Sequence, residues 1–315
     1  MKTVLVTGAA GFIGAHTARA LCERGDRVVG VDNFNPYYDV KLKRDRVKAL
    51  IPHVKILAAD IADRKTLARV LGDVKVDQIC HLAAQAGVRY SLTNPHLYES
   101  ANNLGTLNLL ELARERKIQS FVFASSSSVY GANKKIPFSV DDPVNSPVSL
   151  YAATKRANEL TAHVYHHLYG MRCTGLRFFT VYGPWGRPDM AYFSFTKAIL
   201  EGKPIDVFNH GRMKRDFTYV SDIVAGVLSA LDRNSAYEIF NLGNCRPETL
   251  GDFIATIEES LGKKAKKRMR PIQPGDVPAT WADIKKSTRL LGFRPHTDLK
   301  TGIGNFVRWY RSYYS

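Results

Sequence analysis

The first half of the chain alternates short, continuous apolar runs with longer segments of mixed polarity. Such runs are typical of strands covered on both faces, and the mixed segments are typical of helices packed on a sheet. Strands are predicted at residues 2–6, 27–31, 54–58, 78–82, 121–124 and 172–177. Helices are predicted at residues 12–24, 63–71, 95–114 and 150–169. This alternation predicts an α/β fold of the Rossmann type, with a doubly wound parallel sheet.

The pattern becomes less regular after about residue 179, where prolines interrupt it. Further helices are predicted at residues 193–201, 221–231, 249–261, 286–290 and 299–314. Short strands are predicted at residues 205–208, 216–219, 238–241 and 265–270. We therefore expect residues 1–180 to form one domain, to which residues of about 216–245 return. Residues 181–315 should form mainly a smaller C-terminal α/β lobe over the carboxyl ends of the strands, where ligands bind in such folds.

Three glycines spaced three residues apart, Gly8, Gly11 and Gly14, follow the first strand and lead directly into the first helix. Glycines in such a turn let backbone N–H groups and a helix N-terminus approach a pyrophosphate. Asp32 ends the second strand, 18 residues after Gly14. Its carboxylate can accept the hydroxyls of an adenosine ribose and would repel a 2′-phosphate. The sequence therefore predicts that residues 1–180 bind a dinucleotide, with NAD favoured over NADP.

The composition of the chain argues against several classes of protein. The 315 residues include 45% apolar residues but no run of 18, and the chain starts with a strand rather than a signal-peptide pattern. We therefore expect a cytoplasmic protein with no membrane partner. The four cysteines form no C-x-x-C pair, so neither a disulfide set nor a metal site is predicted.

The net charge of +16 is large, and its densest cluster lies at residues 263–270. Three interpretations stay open for this cluster: a solvated face, long-range steering of anions, or binding of a macromolecule. No aromatic residues interleave with the basic ones, which gives base stacking little support. We expect a solvated face and no nucleic-acid partner.

Tyr151 and Lys155 lie four residues apart at the start of a predicted helix and therefore share one face. An ammonium about 4 Å away can lower the pKa of a phenol by roughly 3 units at an effective dielectric of about 20. Such a pair can act as a general base beside NAD⁺. Four consecutive serines, residues 125–128, follow the fifth strand, where a hydroxyl can bind both the phenolate and a substrate hydroxyl. Capping of the strand end is the alternative role for Ser125 or Ser127.

These features, with Arg215-Asp216-Phe217, resemble the extended short-chain dehydrogenase/reductase family that acts on nucleotide sugars, over essentially the whole chain. The resemblance implies a Ser-Tyr-Lys triad that removes a proton from a sugar hydroxyl while NAD⁺ accepts a hydride. It places the triad serine on Ser126, with Ser127 and Ser128 as second candidates. The cofactor-binding residues that it implies, together with the glycines and Asp32, are Phe12, Ile13, Asn33, Asp60, Ile61, Leu82, Ala83, Ala84, Asn102, Tyr151 and Lys155.

The related 4,6-dehydratases carry an Asp-Glu pair directly after the catalytic hydroxyl residue, where this chain has two serines. Dehydration is therefore not expected, and 4-epimerisation fits. UDP-galactose 4-epimerases usually have Asn at the position of Thr180, whereas Thr180 and the segment through Ala191 resemble the UDP-glucuronate 4-epimerases. A sugar carboxylate needs donors in a fixed place, and Arg89 and Arg187 are guanidinium forks on predicted site loops.

We therefore predict NAD-dependent interconversion of UDP-glucuronate and UDP-galacturonate through a 4-keto intermediate. The alternatives are a UDP-glucose/UDP-galactose 4-epimerase, a UDP-glucuronate decarboxylase, and a catalytically idle NAD-binding module that binds nucleic acid. The resemblance assigns Arg215 to the UDP diphosphate and Asp276 to the uridine ribose, and it implies a homodimer through the helices near residues 95–114 and 150–169. The predicted substrate-binding residues are Arg89, Ser127, Ser128, Thr180, Arg187, Arg215 and Asp276.

Overall fold

The structure is a computed structural model that describes residues 1–272 and 278–314. The strands in these residues are β1 (Thr3–Thr7), β2 (Arg27–Asp32), β3 (Ile56–Ala58), β4 (Gln78–His81), β5 (Ser120–Ser126), β6 (Arg172–Phe178), β7 (Thr180–Tyr182), β8 (Pro204–Val207), β9 (Lys214–Tyr219), β10 (Tyr237–Leu242), β11 (Pro247–Thr249), β12 (Lys266–Met269) and β13 (Ala279–Thr280).

The helices are α1 (Phe12–Glu23), α2 (Val40–Leu50), α3 (Arg64–Leu71), α4 (Tyr90–Thr93), α5 (Pro95–Tyr98), α6 (Gly105–Glu115), α7 (Leu150–Tyr169), α8 (Ala191–Leu200), α9 (Val220–Arg233), α10 (Leu250–Leu261), α11 (Lys285–Leu291) and α12 (Leu299–Tyr314). A π-helical turn, Glu99–Leu104, joins α5 to α6. Two 3₁₀ turns, Ser127–Tyr130 and Phe208–Gly211, follow β5 and β8.

The described residues form a central parallel sheet of seven strands in the order β10-β6-β5-β4-β1-β2-β3. The chain moves outward from β1 to β3 and then returns to place β4 on the other side of β1. This reversal opens a crevice at the carboxyl ends of β1 and β4, which is where ligands bind in doubly wound sheets. The predicted α/β fold is thereby confirmed. The domain boundaries stay a prediction, although β10 does pair with β6 in the central sheet.

Helices cover both faces of the central sheet. On one face, Leu21 of α1 and Val227 of α9 are fully buried in the same apolar cluster. On the other face, Leu67 of α3, Leu109 of α6 and Ala162 of α7 form a second cluster. Burying a side chain such as leucine stabilises the fold by about 1.5–3 kcal/mol. These two layers make the sheet a rigid support for the loops at its carboxyl edge.

A smaller lobe lies over that edge. In it, β9 pairs with β7, β11 and β13, and β8 pairs with β12. Its core contains stacked aromatic rings, with Phe217 and Phe253 at a centroid distance of 4.0 Å. The helices α8, α10 and α12 contribute to this core. Since β7 follows directly after β6, the chain passes from the central sheet into the lobe beside the crevice.

The prediction and the structure differ in two respects. The helix predicted at residues 95–114 is divided into α5, the π-helical turn and α6, and the sequence did not predict α2, α4, β7, β11 and β13. α2 escapes prediction because its sequence, Val-Lys-Leu-Lys-Arg-Asp-Arg-Val-Lys-Ala-Leu, is mostly charged. The 20-residue helix α7 begins and ends where it is predicted. Most other predicted boundaries lie within about two residues of the observed ones, which is the usual uncertainty of helix ends.

The basic cluster at residues 263–270 includes the exposed strand β12. Lys264 and Lys267 form ion pairs with Glu258, while Arg268 and Arg270 form ion pairs with Asp206. These two carboxylates balance two of the six positive charges of the cluster, so it stays strongly basic. A bilayer-spanning segment would need about 20 apolar residues in one helix, and no helix within the described residues meets that requirement.

Candidate active site

The glycine loop lies at one end of a cleft of about 870 Å³ at the carboxyl edge of the sheet. Gly8 has a φ of +69°, and a Cβ there would lie 2.8 Å from the backbone of Ala83. A Cβ on Gly14 would lie 2.0 Å from the carbonyl oxygen of Gly8. Only glycine therefore allows the loop after β1 to approach both the start of α1 and the loop after β4. This close approach creates the backbone cradle that a pyrophosphate requires.

The carboxylate of Asp32 is held at the edge of this cradle. It accepts hydrogen bonds from the backbone nitrogens of Ala10, at 3.0 Å, and Phe34, at 2.8 Å. Lys43, which sequence reasoning missed, lies nearby on α2 and donates to the carbonyl of Asn35 at 2.7 Å. Burial lowers the pKa of Lys43, and the charge of Asp32 opposes that effect. The site thus offers a fixed acceptor for ribose hydroxyls.

The structure brings almost all the predicted cofactor residues into this one cleft. The residues lining it are Gly8, Gly11, Phe12, Ile13, Gly14, Asp32, Asn33, Asp60, Ile61, Leu82, Ala83, Ala84, Tyr151 and Lys155. Asn102 instead lies in the π-helical turn behind the wall of the cleft. Its side chain accepts from the backbone nitrogen of Gln85, at 2.8 Å, and donates to Thr154, at 3.0 Å. The glycine cradle and the Asp32 acceptor together fit a bound NAD molecule.

Tyr151 faces the end of β5. α7 begins beside it because the hydroxyl of Ser149 caps the helix, accepting from the backbone nitrogen of Ala152 at 3.1 Å. The side chain of Ser126 lies near the phenol of Tyr151 and opposes the rise in its pKa that burial causes, and both residues line the cleft. Ser126 also accepts from the backbone nitrogen of Ser128 at 3.1 Å, which starts the 3₁₀ turn after β5. The predicted serine and tyrosine therefore meet in the cleft.

Lys155 lies one turn after Tyr151, and its ammonium donates to the carbonyl of Ala124 at 2.8 Å. Burial lowers the pKa of Lys155 to about 8, and the negative charge of Glu159 opposes that shift. Burial also raises the pKa of Tyr151, against the hydrogen bond from Ser126 and the charge of Arg187. The lowered phenol pKa expected from the sequence is therefore not produced by the described residues alone. A positively charged nicotinamide in the cleft would act in the required direction.

Ser125 has a separate role from its neighbour in the serine run. Its hydroxyl donates to the buried carboxylate of Glu159 at 2.6 Å. The same carboxylate receives two hydrogen bonds from Arg177, at 2.8 and 2.9 Å. This network joins β5, β6 and α7 directly below the cleft. Because a buried carboxylate is tolerated only when it is paired and hydrogen-bonded, Ser125 serves the framework rather than the substrate.

Arg187 lines the cleft from the loop between β7 and α8. Its guanidinium binds the carboxylate of Asp189 through two nitrogens, with Nε at 3.0 Å from Oδ1. The hydroxyl of Tyr37 donates to the same carboxylate at 3.2 Å. Burial tends to lower the pKa of Arg187, but Asp189 outweighs burial and leaves that pKa raised. A charged fork in a partly buried cleft is suited to a carboxylate ligand.

The remaining predicted substrate residues also line the cleft, with one exception: Asp276 lies outside the described residues. Those in the cleft are Arg89, Ser127, Ser128, Thr180, Arg187 and Arg215. The guanidinium of Arg89 lies 5.8 Å from the ring centroid of Phe208. Sequence reasoning missed Tyr37 and Asp189. Their positions, in Asn-Pro-Tyr-Tyr-Asp and two residues after Arg187, are the signals that could have identified them.

A model of the NAD dependent epimerase/dehydratase family matches residues 4–243 of this chain. An uncharacterised protein of Methanocaldococcus jannaschii is 53% identical over 313 residues, which cover 98% of this chain and 96% of that protein. UDP-glucuronate 4-epimerase 4 of Arabidopsis thaliana is 52% identical over 333 residues, covering 99% of this chain and 76% of the plant protein.

Among solved structures, UDP-glucuronic acid 4-epimerase from Bacillus cereus, in complex with UDP-glucuronic acid and NAD, has a TM-score of 0.91. It is 36% identical, and the match covers 99% of this chain and 100% of that one. The similarity extends over both the central sheet and the smaller lobe. This chain belongs to the NAD-dependent epimerase/dehydratase family.

Proposed function

We propose that this protein is an NAD-dependent UDP-glucuronate 4-epimerase, which interconverts UDP-glucuronate and UDP-galacturonate. The observation that carries the proposal is that Ser126, Tyr151 and the guanidinium of Arg187 all line one cleft. The serine and the tyrosine are suited to removing a hydroxyl proton, and the guanidinium is suited to binding a carboxylate. Relatives that carry this name at about half identity support the same conclusion.

Different residues of the cleft bind different parts of the dinucleotide. The glycine loop and the N-terminus of α1 receive the pyrophosphate, since the N–H groups in the first turn of a helix have no partner within the helix. Asp32 and Asn33 accept the adenosine ribose, and Asp60 and Ile61 flank the adenine. Lys155 holds the nicotinamide ribose. When bound there, NAD⁺ would supply the acceptor for the hydride that leaves carbon four of the sugar and the source of the hydride for the opposite face.

Tyr151 is the general base for the reaction. Its phenolate accepts the proton of the 4-hydroxyl as the hydride leaves carbon four, and Ser126 shares the hydrogen bond with the substrate oxygen. The ammonium of Lys155 stabilises the negative charge of the phenolate. The resulting 4-keto sugar turns within the cleft while its nucleotide stays bound. Tyr151 then gives the proton back to the new 4-hydroxyl, so that proton and hydride both balance.

The carboxylate of the sugar binds on the side of Arg187, with hydroxyls from Thr180, Ser127 and Ser128. Holding this carboxylate also protects the intermediate, because a 4-keto-glucuronate is a β-keto acid that loses CO₂ when its carboxylate stands perpendicular to the ketone. A carboxylate fixed near the ring plane loses CO₂ slowly. Arg215 is proposed to bind the diphosphate, and Asp276 the uridine ribose.

We propose a homodimer through α7 and the segment that contains α6. Large apolar side chains are exposed on both: Leu104, Leu107, Leu160, Val164 and Leu168. Because α6 and α7 pack against each other, apolar side chains exposed on both are suited to a protein–protein interface. A cytoplasmic location also stays a prediction, which the free thiols of Cys22, Cys80, Cys173 and Cys245 support.

The direct test is to incubate the purified protein with UDP-glucuronate without added reductant and to follow UDP-galacturonate by NMR. Substrate that carries deuterium at carbon four should give product that keeps the label. Loss of the label to solvent would contradict internal hydride return. Parallel incubations with UDP-glucose, and with trapping of released CO₂, distinguish the neutral-sugar epimerase and the decarboxylase from the proposed activity.

A further inference from the structure

The segment of residues 183–189, which we call the carboxylate loop, presents Arg187 to the cleft. Two consecutive carbonyl groups of this loop are bound by side chains from the first two helices of the chain. Arg46 of α2 donates from Nε to the carbonyl of Trp185 at 2.9 Å. His16 of α1 lies 3.0 Å through Nε2 from the carbonyl of Pro184. Burial lowers the pKa of His16 to about 4, so the ring is neutral near pH 7 and its Nε2–H donates this bond.

Arg46 also reaches the glycine loop. Its Nη1 donates to the carbonyl of Ala10 at 2.5 Å and to the hydroxyl of Tyr38 at 3.1 Å. The backbone nitrogen of the same Ala10 donates to Asp32. The side chain of Arg46 is fully buried. One guanidinium therefore joins the loop that cradles the dinucleotide to the loop that carries Arg187.

The carboxylate loop has little freedom to move around these anchors. Trp185 adopts a φ of +63°, an uncommon conformation for a bulky residue. Its ring packs against Trp309 at a centroid distance of 5.1 Å. A Cβ on Gly186 would lie 2.0 Å from the hydroxyl of Tyr192. Strained backbone of this kind persists only where surrounding contacts hold it, and Arg46 supplies one of those contacts.

We propose that Arg46 is a positioning residue, which sets the distance between the bound dinucleotide and the sugar carboxylate by tying the two loops together. His16 supports the same loop from α1. This inference rests on the proposed function, because it takes Arg187 as the carboxylate ligand. Without Arg46, Arg187 shifts relative to the nicotinamide, and the 4-keto intermediate is held less well. The sugar then loses its carboxyl carbon as CO₂, the bonding electrons form the enolate of the ketone, and carbon five takes up a proton.

The test compares Arg46→Met with Arg44→Met. The second variant makes the same chemical change two residues away on the exposed side of α2. A displacement of about 1 Å can lower turnover by about 10²-fold, and we expect a loss of that order in Arg46→Met. We also expect a larger share of turnovers to end in CO₂, measured by trapping labelled CO₂ against UDP-galacturonate formed. Arg46→Lys, which keeps the charge and one donor, should recover part of both properties.

Equal turnover and equal CO₂ release in the two methionine variants would overturn the proposal. If Arg46→Met does not fold or does not retain NAD, His16→Leu and His16→Gln test the coupling instead, since the ring of His16 binds the carbonyl of Pro184 in the carboxylate loop. His16→Leu should release more CO₂ than His16→Gln, which keeps an N–H donor, and equal release would refute the coupling. Wild-type protein that leaves UDP-glucuronate unchanged would refute the proposed function instead.

Discussion

The cofactor side and the substrate side of the cleft use different chemical groups. The cofactor side uses backbone: Gly8 and Gly14 bring peptide groups into positions that any side chain would block. The substrate side uses charged side chains, with Arg187 paired to Asp189 and Arg46 bound to two loops. A site built from backbone groups leaves a local motif in the sequence. The role of a charged side chain can be recognised only after the fold has placed its bonding partners beside it.

Tyr151 stands between the two sides, so its removal should have the largest effect. Tyr151→Phe removes the base and leaves the glycine cradle and Arg187 in place. We expect epimerisation to fall by about 10²–10⁴-fold, the usual contribution of a general base. NMR detection of UDP-galacturonate measures the loss, and NAD content after purification should match wild type. A variant that keeps most of its activity would assign the base to another group.

A second prediction concerns a variant that disrupts only the cofactor side of the cleft. Gly14→Ala places a methyl group 2.0 Å from the carbonyl oxygen of Gly8, so the loop must open. We expect loss of bound NAD and a lower free energy of unfolding by about 1–3 kcal/mol, typical of overpacking. Calorimetry and the NAD-to-protein ratio measure both.

The matched control for this variant is Gly304→Ala in α12, where the new Cβ meets no atom within 4 Å. It should stabilise the protein by up to about 1 kcal/mol, because alanine favours a helix over glycine. If both variants behave alike, close packing of the glycine loop is not what binds the dinucleotide.

The same contrast explains which parts of the fold and of the site could be predicted from the sequence. The strand, turn and helix that contain Gly8–Gly14 were predicted from local spacing alone, and so was the helix that carries Tyr151 and Lys155. Helix α2 was not predicted, because its Lys43 and Arg46 look like surface charges in the sequence. In the structure both are buried, and they donate hydrogen bonds to the carbonyls of Asn35, Ala10 and Trp185.

Arg187 shows what could not be predicted from the sequence. Its type and its loop were predicted, but Tyr37, which donates to the carboxylate that pairs with Arg187, lies 152 positions before Asp189 in the chain. The pKa of Tyr151 likewise depends on burial, which local spacing does not reveal. The roles of these residues in catalysis and binding stay predictions until variants are measured.

A third prediction breaks the substrate side alone. Arg187→Ala removes the charged fork, and hydrogen bonds to charged groups contribute about 1.5–3 kcal/mol. We expect kcat/KM for UDP-glucuronate to fall by about 10–100-fold, with CO₂ release and UDP-pentose formation above wild type. NAD content should not change. An unchanged rate without CO₂ would remove Arg187 from carboxylate binding, and Arg187→Lys tests whether the bidentate fork is needed.

The smallest predicted effect concerns acid, and it depends on two histidines in and around the central sheet, His16 on α1 and His81 on β4. Burial lowers the pKa of His16 to about 4 and that of His81, on β4, to about 3. The unfolded chain takes up protons on these rings below about pH 6.5, whereas the folded protein does not. The free energy of unfolding should therefore fall as the pH drops from about 6.5 towards 4, by up to about 3 kcal/mol for His16.

Urea unfolding at several pH values between about 5 and 7 measures this slope, above the range in which ordinary carboxylates take up protons. His16→Gln should flatten the slope, because glutamine keeps a donor for Pro184 but does not titrate. His53→Gln, at an exposed position, should leave it unchanged. If His16→Gln and wild type lose stability in parallel, the pKa of His16 is the same in the folded and the unfolded chain. The ring would then take up its proton without changing the free energy of unfolding, and burial would not be what keeps this donor neutral.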